Sequence, residues 1–247
     1  MRAIWALLVT IIFTLIFGLS GIFISLFESK KGHALGHCAR LWAKYILFFT
    51  GVKYSIKGLS GLDLNSNYIF AGNHTSVFDI PLAFSTLPFW LVPIAKVELR
   101  SVFILGWVMN TAGHIWVDRR NTESALKSLE FAKNSLLDMP RSILLFPEGT
   151  RTRDGSLAPF KPGGLLIAVD TDIPIVPIAF VGTYEMLKPR SWSMKYHPIE
   201  LRVGEPINPG EYSIDTRTEL ANYVRNKVEA LKPVSYTHLT LPTTPYV

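Results

Sequence analysis

From Gly51 onward the sequence breaks into seven short apolar runs separated by stretches of helical periodicity, and few architectures accept such an alternation. The runs cover residues 54–56, 68–71, 90–95, 115–117, 143–146, 175–180 and 199–203, and read as strands. Helical stretches fall at 77–85, 97–111, 122–137 and 164–170, and a last helix runs to Leu231 with Asp215 as its N-cap. Strand followed by helix implies an α/β fold, a largely parallel sheet flanked by helices. Reactive groups in such folds belong at the carboxyl ends of the strands.

Directly after the second run stands Asn73-His74-Thr75-Ser76-Val77-Phe78-Asp79. An imidazole is a neutral side chain able to take a proton near pH 7, and a carboxylate five residues on can fix its tautomer. On a regular helix positions five apart point in different directions, whereas positions four apart share a face. His74 and Asp79 therefore meet only if the helix starts after His74, with Thr75 or Ser76 as its N-cap.

Phe146-Pro147-Glu148-Gly149-Thr150-Arg151 follows the fifth run. Backbone N–H groups around Gly149, the Thr150 hydroxyl and a bidentate Arg151 form a set that would satisfy a phosphate, with Glu148 orienting Arg151 or bonding a substrate hydroxyl. An ordinary strand exit is equally rich in turn residues and stays open as the other reading. The stretch 113–120, GHIWVDRR, is a further strand ending in cations, suited either to the same phosphate or to a solvated basic surface. Lys96 also sits at a strand end, Lys161 opens a glycine turn, and Pro177 within the sixth run argues for an edge or bulge position.

Upstream, residues 3–27 contain no charge and as a helix would extend about 37 Å, enough to enter or cross a bilayer core of about 30 Å. Residues 33–49 then place His33, His37, Arg40 and Lys44 at helical spacing beside Trp42 and Tyr45, as in a helix lying at a membrane interface. We expect 1–50 to form a membrane hairpin, re-entrant in one leaflet rather than spanning both, and 51–232 the globular domain. The 25 Lys and Arg against 19 Asp and Glu suit anionic partners, with no nucleic-acid module in sight. Cys38 is the only cysteine, so no intrachain disulfide can form. With His33 and His37 it lacks the further ligands a metal requires, and no metal site is expected. Residues 233–247, PVSYTHLTLPTTPYV, carry no charge and read as a non-native or disordered tail.

These blocks, in order across roughly 51–206, resemble the glycerolipid acyltransferases of the 1-acylglycerol-3-phosphate type, the PlsC family. NHTSVFD matches its NHxxxxD block, GHIWVDR its second with Trp116 in place of Phe, FPEGTR its third, and IVPIA its fourth. The resemblance implies His74 as base with Asp79 as partner. It implies Arg119 on the substrate phosphate, Glu148, Gly149, Thr150 and Arg151 in acceptor binding, and Pro177 in the fourth block. The family often has Lys or Arg after the lysine of its F-K-x-G segment, and here Pro162 stands in that place, which weakens any implied role for Lys161. The implied reaction is acyl transfer from an acyl carrier protein or coenzyme A thioester to lysophosphatidic acid, giving phosphatidic acid without cofactor or metal. It would take place at a bacterial-type inner membrane with the domain on the cytoplasmic face. Glycerol-3-phosphate or another lysophospholipid is the alternative acceptor; a non-catalytic lipid-phosphate binder and a metal-assisted phosphohydrolase are the rivals.

Overall fold

The computed structural model describes residues 1–27, 33–118 and 122–232. Seven strands appear: β1 (Tyr54–Lys57), β2 (Ile69–Gly72), β3 (Leu91–Lys96), β4 (Ile115–Val117), β5 (Ser142–Leu145), β6 (Ile175–Val181) and β7 (Ile199–Val203). They form one sheet in the order β1-β7-β6-β2-β5-β3-β4. Every pairing is parallel except β6 with β7. The helices are α1 (Arg2–Ser25), α2 (His33–Phe49), α3 (Asp79–Thr86), α4 (Leu105–Thr111), α5 (Thr122–Asp138), α6 (Pro162–Thr171), α7 (Thr183–Met186) and α8 (Arg217–Leu231).

Strands buried on both faces read as continuous apolar runs, and their residues serve two cores in alternation. Phe70 and Leu144 pack with Ala6, Ala43, Leu47 and Leu82 of α1, α2 and α3. Their neighbours Ile69, Ala71, Ile143 and Leu145 pack on the other side with Ala132, Leu165 and Val224 of α5, α6 and α8. The carboxyl ends of β2, β3, β5 and β6 consequently open on one edge of a three-layer sandwich.

Expectation and structure differ at four places. The stretch 97–111 is not one helix: a 3-10 turn, Val97–Ser101, is separated from α4 by Ile104 at φ 65°. A β-branched residue at positive φ cannot continue a helix, and the break throws Phe103 outward to 90% exposure. The cap of α3 is Phe78, not Thr75 or Ser76, so Asp79 is the first helical residue. The last helix is capped by Thr216 instead of Asp215, the Thr216 carbonyl accepting the Leu220 N–H at 3.1 Å. Pro177 is not on an edge, since β6 lies between β2 and β7. Its carbonyl accepts the Gly204 N–H at 2.8 Å, and the Ile175–Ile207 bridge is one residue out of register with the β6–β7 ladder. The extra residue falls in the chain after β7, so the bulge sits on the side where Pro177 lacks a donor.

Among the described residues α1 is the one helix long and apolar enough to cross a membrane. It lies antiparallel to α2, with Trp42 Nε1 donating to Thr14 Oγ1 at 3.0 Å and Trp5 Nε1 to the Phe49 carbonyl at 2.8 Å. Gly18 and Gly21 allow the close approach: a Cβ on Gly18 would stand 2.9 Å from Val108 of α4, and one on Gly21 2.5 Å from Leu35. Of the polar stripe read on α2, His37 and Lys44 are exposed, whereas Arg40 turns inward to the Phe89 carbonyl at 3.2 Å. The turn 28–32 and the tail 233–247 lie outside the described residues.

Candidate active site

β2 ends at Gly72, and the next six residues turn before α3 begins, which lets the chain fold back on itself. His74 Nδ1 lies 2.8 Å from Asp79 Oδ2. The same oxygen accepts the backbone N–H groups of Thr75 at 2.7 Å and Ser76 at 2.9 Å. Asp79 is fully buried, and its carboxylate satisfies two backbone donors at the start of a helix. Being an acceptor only, it fixes the proton of neutral His74 on Nδ1 and leaves the lone pair on Nε2. Asn73 secures the turn from behind, its amide exchanging hydrogen bonds with the Phe180 backbone at 3.0 and 2.8 Å.

The loop after β5 grips His74 from below. The Phe146 ring stacks on the imidazole with centroids 4.0 Å apart and planes 20° apart. Glu148 Oε1 accepts the His74 backbone N–H at 2.7 Å, and the Thr152 N–H donates to the His74 carbonyl at 2.9 Å. Glu148 Oε2 takes the Ala158 N–H at 3.0 Å. Burial pushes the Glu148 carboxyl above its ordinary range, while these two N–H groups pull the other way. The position differs from that read in the sequence: Glu148 is 5% exposed and its oxygens hold backbone donors, not Arg151. Gly149 takes φ 79°, the left-handed region that glycine occupies without penalty. Its N–H closes a turn to the Phe146 carbonyl at 3.0 Å and is not spare for a phosphate. A Cβ there would stand 3.3 Å from Lys161 Nζ, so that cation lies beside the loop.

His74 opens onto a cavity of about 1090 Å³ that runs between the sheet edge, α1, α2 and α4. Its exposed rim carries Lys96, Thr150, Arg151, Arg153 and Arg190, and no Asp or Glu among the described residues lines it. Its lining is otherwise largely apolar, with Ile80, Phe84, Ile94, Leu105, Val108 and Ala112. Of the residues singled out in the sequence, His74, Lys96, Gly149, Thr150 and Arg151 thus share one space. Asp79 and Glu148 stand behind His74, Pro177 lies in the sheet, and Arg119 lies outside the described residues.

Arg153, Arg190, His114 and Thr183 carry no sequence signal of their own, yet belong to the same region. Thr183 Oγ1 is 2.6 Å from Thr75 Oγ1, which reaches Asp79 Oδ1 at 3.4 Å, so the second carboxylate oxygen is served from 108 residues away. The cavity is also lined by His114. Burial pushes it down to about 4, the Met109 carbonyl opposing and Arg141 adding, and it is neutral at physiological pH. Arg141, 1% exposed, ties α5 to the turn before β4 through the Ser135, Met139 and Gly113 carbonyls.

Comparison with known proteins agrees with this geometry. The Acyltransferase family model matches residues 53–181. A 1-acyl-sn-glycerol-3-phosphate acyltransferase of Limnanthes douglasii is 30% identical over 85% of this chain and 74% of its own length. The Homo sapiens 1-acyl-sn-glycerol-3-phosphate acyltransferase alpha is 30% identical over 76% and 67%. The crystal structure of the 1-acyl-sn-glycerophosphate acyltransferase PlsC from Thermotoga maritima superposes with a TM-score of 0.73 at 27% identity, covering 94% of this chain and 98% of the other. A His–Asp pair at the carboxyl edge of the sheet, a cation-rimmed apolar cavity and these likenesses agree: the chain belongs to the acyltransferase family, among the 1-acyl-sn-glycerol-3-phosphate acyltransferases.

Proposed function

We propose that His74 and Asp79 carry the acyl transfer to the sn-2 hydroxyl of lysophosphatidic acid that yields phosphatidic acid. The observation behind these roles is the single 2.8 Å contact that leaves His74 Nε2 as acceptor at the mouth of an apolar cavity. Nε2 takes the hydroxyl proton as the oxygen attacks the thioester carbonyl. The tetrahedral intermediate collapses, the C–S bond breaks, and the leaving thiol takes the proton back from the imidazolium, which Asp79 stabilises meanwhile. A thioester is already an activated acyl donor, so the step asks for no metal and no cofactor. The fatty chain fits the apolar wall, and the phosphate fits the cationic rim of Arg151, Thr150 and Lys96, with Arg119 added from its place in the sequence.

The test offers purified protein labelled thioesters of coenzyme A and of acyl carrier protein, with lysophosphatidic acid or glycerol-3-phosphate as acceptor. Lysophosphatidic acid is the acceptor we expect, and transfer to glycerol-3-phosphate alone would reassign the substrate. Arg151→Ala should lower kcat/KM for lysophosphatidic acid about 10- to 100-fold, the worth of a charge-assisted contact, with little effect on the donor KM. Arg151→Lys should recover part of it, since an ammonium lacks the bidentate fork. Equal damage toward both substrates would make Arg151 structural.

We place the chain on one leaflet of a bacterial-type inner membrane with the domain on the cytoplasmic side. α1 supports this: it touches the domain near both ends, with Arg2 over the Tyr196 ring and Gly18 against Val108, while Ile4, Leu8, Leu19 and Phe23 stand exposed. A helix laid along the domain enters the bilayer sideways. With Cys38 replaced by Ser, cysteines at Ile4 and Leu64, both exposed, should be labelled from the same side of sealed vesicles. Labelling of position 4 from the opposite side alone would establish a spanning helix.

A further inference from the structure

Between α7 and β7 the chain runs without regular structure through Leu187-Lys188-Pro189-Arg190-Ser191-Trp192-Ser193-Met194-Lys195-Tyr196-His197-Pro198. No Asp or Glu occurs between Glu185 and Glu200. Lys188, Arg190 and Lys195 are exposed, and none of them, nor Arg2, pairs with a carboxylate among the described residues. Trp192 is 68% exposed and Tyr196 60%, costly positions for large rings in water. The loop is not loose at its base: the Lys195 N–H donates to the Met186 carbonyl at 2.8 Å, Ser76 Oγ to the Leu187 carbonyl at 2.8 Å, and Met194 packs on the core.

This loop continues the face that α1 turns outward. The Arg2 guanidinium lies over the Tyr196 ring, 5.6 Å from its centre. Arg2, Trp5, Lys195, Tyr196 and His197 together enclose a cleft of about 300 Å³ at the start of α1. Exposed cations interleaved with exposed Trp and Tyr, at the end of an apolar helix face, match the headgroup zone of a bilayer: the rings settle at the interface and the cations meet lipid phosphates. We infer that residues 187–198, with Arg2 and Trp5, are a second membrane contact that recognises anionic phospholipid and seats the cavity mouth, where Pro189 and Arg190 stand, on the lipid surface. The inference rests on the membrane placement proposed above. An acidic carrier protein would also meet these cations, but it gives no reason for two exposed rings contiguous with α1.

The test is flotation of the full chain with phosphatidylcholine vesicles and with vesicles containing added phosphatidylglycerol. Wild type should bind both and favour the anionic ones, a preference that salt weakens. The triple variant Arg2→Gln, Lys188→Gln, Lys195→Gln should lose on the order of 100-fold in partition to anionic vesicles, about fivefold for each cation, and keep its partition to phosphatidylcholine. Its activity on lysophosphatidic acid dispersed in neutral detergent should stay at the wild-type level. Trp192→Ala should weaken binding to both vesicle types. Unchanged anionic preference in the triple variant would overturn the inference. So would unchanged vesicle binding with activity lost only toward the acyl carrier protein thioester, which would give the patch to the carrier. A wild-type chain binding neither vesicle would fail the membrane placement itself, whereas equal binding to both would overturn the loop's role alone.

Discussion

Replacing His74 by Ala is expected to abolish acyl transfer while the protein still folds. The imidazole side chain is 18% exposed at a loop, and its loss removes one stacking contact with Phe146 rather than a core residue. General base catalysis supplies about 10² to 10⁴-fold, so a residual rate above a few per cent of wild type would remove His74 from that role. Asp79→Asn should be nearly as severe for the rate and worse for the fold. An amide at position 79 cannot orient the imidazole, hold the Thr75 and Ser76 N–H groups and offset an imidazolium all at once. A buried N–H left without a partner costs about 1–3 kcal/mol, and each kcal/mol lowers Tm by about 2–4 °C in a chain of this size. Steady-state rates with thermal melts separate the two: His74→Ala with wild-type Tm and no turnover, Asp79→Asn with both reduced.

The sequence made β2, β3, β5 and β6 readable because each is a run buried on both faces, where apolar residues have no alternative. Even the three residues of β4 stand out, with Ile115 and Val117 buried. What stays hidden is set by distant neighbours. That β7 lies between β6 and β1 follows from its parallel pairing with β1, made across more than a hundred residues, for which no local periodicity exists. Pro177 suggests an edge because its missing donor is visible locally, while the bulge that excuses it lies near Gly204. Within the site, the spacing of His74 and Asp79 already required a helix starting between them. That the start is as late as Asp79 depends on the carboxylate turning back to cap Thr75 and Ser76. Arg190 and Thr183 reach the site from the end of β6, a route that only the sheet order supplies.

Glu148 separates a brace from a binding group, and its variants should tell which it is. Its two oxygens join the His74 loop to the chain at Ala158, both through backbone donors. In Glu148→Gln one amide oxygen can serve one donor, and the amide nitrogen then faces the other N–H. We expect Tm to fall by about 2–12 °C, the equivalent of about 1–3 kcal/mol for one donor left unpaired. kcat should drop at least tenfold as His74 leaves its seat on Phe146, with the KM values for both substrates little changed, because a displacement of about 1 Å can cost 10²-fold. Glu148→Ala frees both donors and should be worse in Tm and in kcat. A carboxylate that instead bonds an acceptor hydroxyl would behave differently: Glu148→Gln would raise the KM for lysophosphatidic acid and leave Tm where it was. That outcome would require Glu148 to release the His74 N–H when substrate binds, and amide exchange at His74 with and without lysophosphatidic acid would detect the release.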